Sequence, residues 1–123
     1  MTPKELVLEW IKRFNCADIS GLVALYAENA INDQVVFEKP MQGRQAIEQM
    51  FLIEFGRAQM TCIAEHIFEI QDHAILQWRD PNGLRGCGFF HIQNGLIQHQ
   101  KGYFDQLSFF RLQGLDIPEQ YLS

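Results

Sequence analysis

The stretch that decides the fold reads Gly86-Cys-Gly-Phe-Phe-His-Ile-Gln-Asn-Gly-Leu-Ile-Gln-His-Gln-Lys-Gly-Tyr-Phe-Asp105. Two strand-like runs, residues 84–92 and 96–104, are separated by Gln93-Asn94-Gly95, which is a turn signal. The stretch therefore predicts a β-hairpin. Two more strand candidates, residues 60–70 and 74–79, precede this hairpin and extend it into an antiparallel meander.

Three helices are predicted ahead of the meander. The first follows a capping box in residues 2–5, where a threonine precedes proline and a glutamate reaches back. A second, short helix is predicted after Asp18 or Ser20, either of which can cap it. The third is predicted over residues 43–55. The apolar positions assigned to the second helix are Leu22, Val23, Leu25 and Tyr26.

This order of elements predicts an α+β fold. Residues 30–37 look extended and lie between the second and third helices, and residues 106–113 form a last short helix after Asp105. Helices gathered on one side of an antiparallel sheet are typical of α+β domains. We therefore expect one domain over residues 1–123, in which a strongly bent, mixed or antiparallel sheet wraps around three N-terminal helices to form a cone.

Composition and charge exclude several classes of protein. A net charge of −5 without a Lys/Arg cluster argues against a nucleic-acid partner. No apolar run approaches the roughly 20 residues of a membrane-spanning helix, so no membrane partner is expected. Cys16, Cys62 and Cys87 are odd in number and lack Cys-x-x-Cys spacing, and no apolar signal segment follows Met1. These features predict a reduced, cytoplasmic protein, and no cofactor is expected.

Several segments match one family in order and spacing. They are Asp18-Ile-Ser-Gly-Leu-Val-Ala-Leu-Tyr-Ala-Glu-Asn-Ala30, Pro40-x-x-Gly43-Arg44-x-Ala46-Ile47, and Phe89-Phe90-His91-Ile92-x-Asn94-Gly95-x-Ile97 leading into Tyr103-Phe104-Asp105. Together they resemble the nuclear transport factor 2-like superfamily and its SnoaL-like branch, whose relatives include polyketide cyclases, limonene-1,2-epoxide hydrolases and ketosteroid isomerases. The resemblance implies a conical α+β fold with a deep apolar pocket, often a homodimer through the outer sheet face. It does not imply a reaction, because this fold hosts several chemistries.

The inward face of the hairpin depends on its register. A two-residue Asn94-Gly95 turn pairs Gln93 with Leu96, whereas a three-residue loop pairs Ile92 with Leu96. We favour the three-residue loop. It places on the inner face Gly86, Gly88, Phe90, Gln98, Gln100 and Gly102. It places on the outer face Cys87, Phe89, His91, Ile97, His99, Lys101 and Tyr103.

The resemblance implies that the usual catalytic carboxylates are lost. The catalytic base of the epoxide hydrolases corresponds to Gly102, and the catalytic acid of the polyketide cyclases lies near the same position. The two residues that hold water in the epoxide hydrolases correspond to Asn32 and Gln34. The catalytic base of the ketosteroid isomerases corresponds to Gln34, their oxyanion-hole tyrosine to Trp10 and their oxyanion-hole acid to Gly88. A rearranged acid–base set would then rest on Asp33 and Arg79. Asp80 is interpreted as a turn residue and Asp105 as a helix cap.

Amides and aromatic side chains dominate the predicted pocket, and we expect the glycines to leave free volume there. Such a pocket suits a small lipophilic molecule that is neutral or weakly polar. The predicted ligand-binding residues are Asn32, Gln34, Trp78, Phe90, Gln98, Gln100 and Gly102.

Two other functions remain open from the sequence. One is an isomerase, cyclase or epoxide hydrolase that uses the rearranged acid–base set. The other is a non-catalytic module that dimerises through an apolar outer face containing Cys87, Phe89, Ile97 and Tyr103. No metal site is predicted, because the four histidines lie on separate segments without the spacing of a ligand set. They are His66, His73, His91 and His99.

Overall fold

The computed structural model describes residues 1–122, which form four α-helices, one turn of 3₁₀-helix and one six-stranded sheet. The strands are arranged in the order β2-β1-β6-β5-β4-β3; β1 and β6 are parallel and all other neighbours antiparallel. This mixed sheet with three N-terminal helices confirms the predicted α+β class. The elements are α1 (Pro3–Asn15), α2 (Ile19–Val23), β1 (Tyr26–Gln34), β2 (Met41–Gln42), α3 (Arg44–Arg57), β3 (Ile63–Ile70), β4 (His73–Arg79), β5 (Arg85–Gln93), β6 (Leu96–Phe104), α4 (Gln106–Leu112) and the 3₁₀ turn (Glu119–Tyr121).

Helix α1 begins with the predicted capping box. The Thr2 hydroxyl accepts a hydrogen bond from the Glu5 amide at 3.1 Å, and the Glu5 carboxylate accepts one from the Thr2 amide at 2.8 Å. Both bonds satisfy amides that have no partner within the helix. The buried stripe of α1, Leu6, Val7 and Trp10, then faces the sheet.

The second helix is shorter than predicted. Asp18 caps it through the Gly21 amide at 3.1 Å, but it ends at Val23, and Tyr26 begins strand β1. The predicted helical position of Tyr26 is therefore wrong. The cause is a tertiary contact, because Tyr26 pairs with Ile97 of β6, whose amide donates to the carbonyl oxygen of Leu25 at 2.8 Å.

The hairpin β5–β6 does not have the favoured register at its tip. Asn94 and Gly95 both have positive φ (55° and 77°), and Gln93 pairs with Leu96, as in a two-residue turn. An extra residue, Gln98, then forms a bulge between the pairs Ile92–Ile97 and His91–His99. The predicted three-residue loop is therefore wrong, but beyond the bulge the side chains share faces as predicted, with each strand pair shifted by two residues.

The bulge changes which side chains are buried. Gly88 pairs with Gly102 and Phe90 with Gln100, so these four residues share one face, as predicted. Ile97, which lies before the bulge, is fully buried in the core, so its predicted place on the outer face is wrong.

Two hydrophobic clusters fill the cone. The larger one lies between α1, α2, α3 and the inner sheet face. The smaller one joins Leu84 to Phe109 and Phe110 of α4, and Trp78 packs against both clusters. Arg57 at the end of α3 lies over the rings of Phe109 and Phe110, 5.3 and 5.6 Å from their centres. Helix α4 thereby closes one end of the cone. In residues 1–122 no helix is both long and apolar enough to cross a membrane.

Candidate functional site

The candidate site is a cavity of about 140 Å³ inside the cone. Its walls are mainly apolar and come from α1, α3, the inner sheet face and α4. The aromatic side chains in its walls include Trp10, Phe37, Phe51, Trp78, Phe90 and Phe109. A mostly apolar cavity with few polar groups is the usual form of a small-molecule site.

A buried polar network lies against this cavity, centred on the Tyr26 hydroxyl. Trp10 Nε1 donates to this hydroxyl at 3.0 Å, and the hydroxyl donates to Gln100 Oε1. Asn32 Nδ2 lies 3.4 Å from the same hydroxyl and 3.3 Å from Gln100 Oε1. Gln34 Nε2 donates to Asn32 Oδ1 at 2.7 Å. The network fixes the orientations of three amide side chains, because each bond specifies which amide atom faces its partner.

Tyr26 is the member of this network that sequence reasoning missed. It is fully buried, and this burial raises the pKa of its phenol far above the ordinary value, against the opposing effect of the hydrogen bonds from Trp10 and Asn32. Arg44 holds the Tyr26 carbonyl from the other side, with Nε at 3.0 Å. The Tyr26 side chain is thus a neutral, fixed anchor of the network. The signal that could have found it is the sequence segment that resembles the family, which contains Tyr26.

The glycine at position 102 does not leave free volume. A Cβ atom at Gly102 would overlap the Gln34 side-chain amide, so Gln34 occupies the space that a side chain at position 102 would need. Gly86 similarly accommodates the ring of Trp78. The expectation that the glycines enlarge the cavity is therefore wrong at these two positions. At position 102 the space is filled by a neutral amide.

Two amide groups remain available for a ligand. Gln100 Nε2 and Gln34 Oε1 make no hydrogen bond within residues 1–122, and neither atom is enclosed by protein. Both residues line the cavity. The amides therefore offer a small molecule one donor group and one acceptor group on an otherwise apolar wall.

Two carboxylates also line the cavity. Asp80 is 6% exposed, and its Oδ1 accepts the backbone amides of Asn82 at 2.9 Å and Leu84 at 2.8 Å. These bonds confirm its predicted place in the turn, while its second oxygen has no hydrogen-bond partner in the described chain. Glu54 is paired with Arg57 at 2.8 Å. Each of the two carboxylates thus keeps one oxygen without a hydrogen bond within residues 1–122, Asp80 Oδ2 and Glu54 Oε1, but Glu54 has an arginine as its counter-charge.

The predicted site residues divide into two groups. Six of the predicted ligand-binding residues line the cavity, namely Asn32, Gln34, Trp78, Phe90, Gln100 and Gly102. Gln98, Asp33 and Arg79 do not line it. Gln98 is the bulge residue and donates to Asn29 at 3.1 Å, and Asp33 pairs with Lys101 at a strand position that alternates with Asn32 and Gln34. Arg79 is exposed at the end of β4.

Cys62 is poorly suited to act as a nucleophile in this site. Cys62 lines the cavity, but burial raises the pKa of its thiol to about 12, and the neutral thiol is a poor nucleophile. Asp105 lies outside the cavity and caps α4, with its carboxylate accepting the Ser108 amide at 3.0 Å, as predicted. Hydrogen bonds from Ser108 lower the pKa of this carboxyl group.

The fold and the site thus define an α+β cone with an apolar cavity and amides fixed on its wall. Comparison with family models is more specific, since the SnoaL-like domain matches residues 7–100. The chain belongs to the SnoaL-like family, as the sequence resemblance predicts. Comparison with curated proteins gives no significant match.

Solved structures of low sequence identity share the fold. A protein with a ketosteroid isomerase-like fold from Catenulispora acidiphila, in complex with trimethylamine, has a TM-score of 0.83 at 16% identity, covering 94% of this chain and 96% of that one. A putative polyketide cyclase from Sinorhizobium meliloti has a TM-score of 0.74 at 16% identity, covering 80% and 94%. The epoxide hydrolase/cyclase-like enzyme SalBIII, described in pyran ring formation in the polyether salinomycin, has a TM-score of 0.76 at 21% identity, covering 85% and 92%. These similarities establish the nuclear transport factor 2-like fold.

Proposed function

We propose that this domain binds a small, neutral, largely apolar molecule in the cavity of the cone. The observation that carries the proposal is the pair of unpaired amide groups, Gln100 Nε2 and Gln34 Oε1, on a wall that is otherwise mainly aromatic. Amides orient a neutral ligand by hydrogen bonds and carry no charge that a ligand would have to neutralise. The aromatic walls supply the apolar contact area.

The cavity volume limits the size of the ligand. At about 140 Å³ it is close to the cavity of about 150 Å³ that holds benzene in an engineered protein. We therefore expect a single-ring molecule with one carbonyl or hydroxyl group, such as a monocyclic terpenoid or a phenol. A four-ring steroid exceeds this volume and needs the cone to open.

The test is ligand binding measured by calorimetry and thermal shift, with monocyclic terpenoids, phenols and steroids compared. Gln100→Ala is expected to weaken binding of the best monocyclic ligand by about three- to tenfold, since one hydrogen bond contributes roughly 0.5–1.5 kcal/mol. Gln98→Ala is the matched control, because Gln98 lies outside the cavity. If no monocyclic ligand shifts the melting temperature, or if both variants weaken binding equally, the proposal is wrong.

A second candidate function is acid–base catalysis of the isomerase, cyclase or epoxide-hydrolase type, and Asp80 favours it. Its carboxylate is buried in the cavity wall, and two backbone amides hold Oδ1, so that Oδ2 is free. In an isomerase, Oδ2 would remove a proton from a carbon next to a carbonyl group and return it to another carbon. In this proposal the catalytic base is Asp80, whereas the sequence predicted an acid–base set of Asp33 and Arg79.

Turnover of small cyclic ketones and epoxides tests this second candidate. Asp80→Asn keeps an oxygen for the turn but loses the base, so we expect turnover to fall by roughly 100-fold or more with ligand affinity preserved. Asp33→Asn and Arg79→Gln are the controls, because neither residue lines the cavity. A turnover that survives Asp80→Asn but is lost in Asp33→Asn would overturn the assignment.

We also propose that a second copy of the chain covers the outer sheet face. Large apolar side chains are exposed there on neighbouring strands, with exposed fractions of 51% for Phe68, 40% for Phe89 and 40% for Tyr103. Phe68 pairs with Ile75, and Ile75 pairs with Phe89, so these residues form one cross-strand row. An exposed apolar patch of this kind is typical of an interface.

A further inference from the structure

The outer sheet face also brings together two histidines and an aspartate that are distant in sequence. His73 begins β4 and His91 lies near the end of β5, and the two are directly paired across the strands. Their imidazole rings are stacked with centres 4.6 Å apart and an angle of 12° between their planes. Asp72, in the turn before β4, bridges them: Oδ1 lies 2.8 Å from His73 Nδ1, and Oδ2 lies 3.0 Å from His91 Nε2.

The backbone fixes this cluster in position. Gln71 has a positive φ of 54°, and the pair Ile70–His73 closes a two-residue turn over Gln71 and Asp72. The Asp72 carbonyl accepts the amide of Ile92 at 2.8 Å, which ties the turn to β5 next to His91. The three side chains are therefore held together by a hairpin and a strand pair.

We propose that Asp72, His73 and His91 bind a divalent transition-metal ion of the Zn²⁺ type. Two imidazole nitrogens and one carboxylate oxygen form a ligand set that such ions prefer, with an open position left for water. Their ligand atoms all lie within 4.8 Å of one another. In a tetrahedral zinc site with bonds of about 2.0–2.1 Å, neighbouring ligand atoms are about 3.3 Å apart.

To reach this geometry, the side chains would rotate from separations of up to 4.8 Å between ligand atoms. Both nitrogen–oxygen distances are shorter than the tetrahedral separation, so the ion would take the place of the shared protons, which move to the other ring nitrogens or to solvent. In the single chain the side chains are accessible, with exposed fractions of 56% for Asp72, 52% for His73 and 32% for His91.

The site is separate from the cavity and from its proposed ligand. None of its three residues lines the cavity. His99 on β6 pairs with His91, but its ring nitrogens are not among the ligand atoms that lie within 4.8 Å of one another. The proposed metal site departs from the sequence expectation of no metal, because spacing along the chain cannot show that β4 and β5 place these two histidines side by side.

Calorimetry with ZnCl₂ on the full chain, after chelator treatment and dialysis, tests the proposal. We expect one Zn²⁺ per chain, with release of protons. His91→Ala and Asp72→Ala should each weaken binding by about tenfold or more, because each removes one of three ligands. His66→Ala is the matched control, since His66 is exposed on β3 outside the cluster. Melting temperatures without metal check that each variant is folded.

Co²⁺ provides a second readout that does not depend on heats of binding. Its visible absorption should appear in the wild type and in His66→Ala, and should be lost in His91→Ala. Wild-type protein that takes up no Zn²⁺ would overturn the proposal. So would cluster variants that bind as tightly as the wild type, or a control that loses as much affinity as His91→Ala.

Discussion

At the scale of single residues, the contact between Gly102 and Gln34 makes a direct prediction. Gly102→Ala places a methyl group on the Gln34 amide, which must move and lose its bond to Asn32. Overpacking of this kind costs about 1–3 kcal/mol. We expect urea unfolding to show this loss in Gly102→Ala, and to show a smaller loss when Gln34→Ala is already present.

The control for this experiment is Gly56→Ala. Gly56 lies in α3, and a Cβ atom there would meet nothing within 4 Å. Alanine is the better helix former, so this variant should be unchanged or more stable by up to about 1 kcal/mol. Equal costs of Gly102→Ala with and without Gln34 would contradict the steric account.

Tyr26 leads to a second prediction at the same scale. Tyr26→Phe removes the hydroxyl that accepts from Trp10 Nε1 and donates to Gln100 Oε1. A buried group left without its partner costs about 1–3 kcal/mol. We expect urea unfolding to show this loss, and ligand affinity to fall as Gln100 loses its fixed orientation. Tyr121→Phe is the control, because the Tyr121 hydroxyl bonds to Gln106 at an exposed position; a similar loss in both variants would argue against the buried network.

At the scale of elements, the N-terminal cap of helix α4 should make the stability of the fold depend on pH. Hydrogen bonds from Ser108 lower the pKa of the Asp105 carboxyl group in the folded state, so below its ordinary pKa of about 3.9 the unfolded chain binds more protons. This contribution to stability is complete above about pH 4 and is lost as the pH falls through the folded pKa. Asp105→Asn keeps a cap but should remove this part of the pH dependence, as melting temperatures between pH 2 and 7 would show.

Asp105→Ala removes the cap as well as the charge. Because α4 contributes Phe109 to the cavity and Gln113, which follows the helix, also lines it, we expect this variant to bind its ligand more weakly at neutral pH. Asp116→Ala is the control, because it removes another carboxylate from the C-terminal segment, where Asp116 is exposed and does not line the cavity. An unchanged affinity in Asp105→Ala would show that α4 does not need its cap to close the cone.

The elements also show what the sequence could and could not predict. Capping residues and the Asn94-Gly95 turn are local signals, and the helix at Thr2 and the hairpin follow from them. The bulge at Gln98 depends on pairing with β5 and β1, so no local pattern specifies it. The same limit applies to Tyr26, because an apolar run of residues 22–26 suits a helix or a buried strand equally.

The cavity depends on this register. Asn32 and Gln34 lie on one face of β1 and Asp33 on the other, and pairing with β6 decides which face is inside. The predicted inner face of the hairpin is partly correct, because beyond the bulge Phe90 and Gln100 lie on the same face. Asp80 was predicted as a turn residue, and its position in the cavity wall follows only from the packing of its turn against α4.

At the scale of the whole molecule, the proposed second copy predicts a measurable association. Phe89→Glu places a charge in the exposed apolar row, so sedimentation should show a dimer in the wild type and a monomer in this variant. Ile53→Glu is the control, because Ile53 is 63% exposed on α3, away from the sheet. A monomeric wild type, or a dimer that survives Phe89→Glu, would contradict the proposal.

The Gln34 amide against Gly102 also restricts how this chain could gain a carboxylate at position 102, where the family resemblance places a base. Gly102→Asp as a first step would collide with the amide and cost stability before it could bring any activity. Shortening Gln34 first opens the space, after which an acid at position 102 can be accommodated. The two substitutions therefore have a preferred order, and an evolutionary or laboratory path to an acid at this position begins at residue 34.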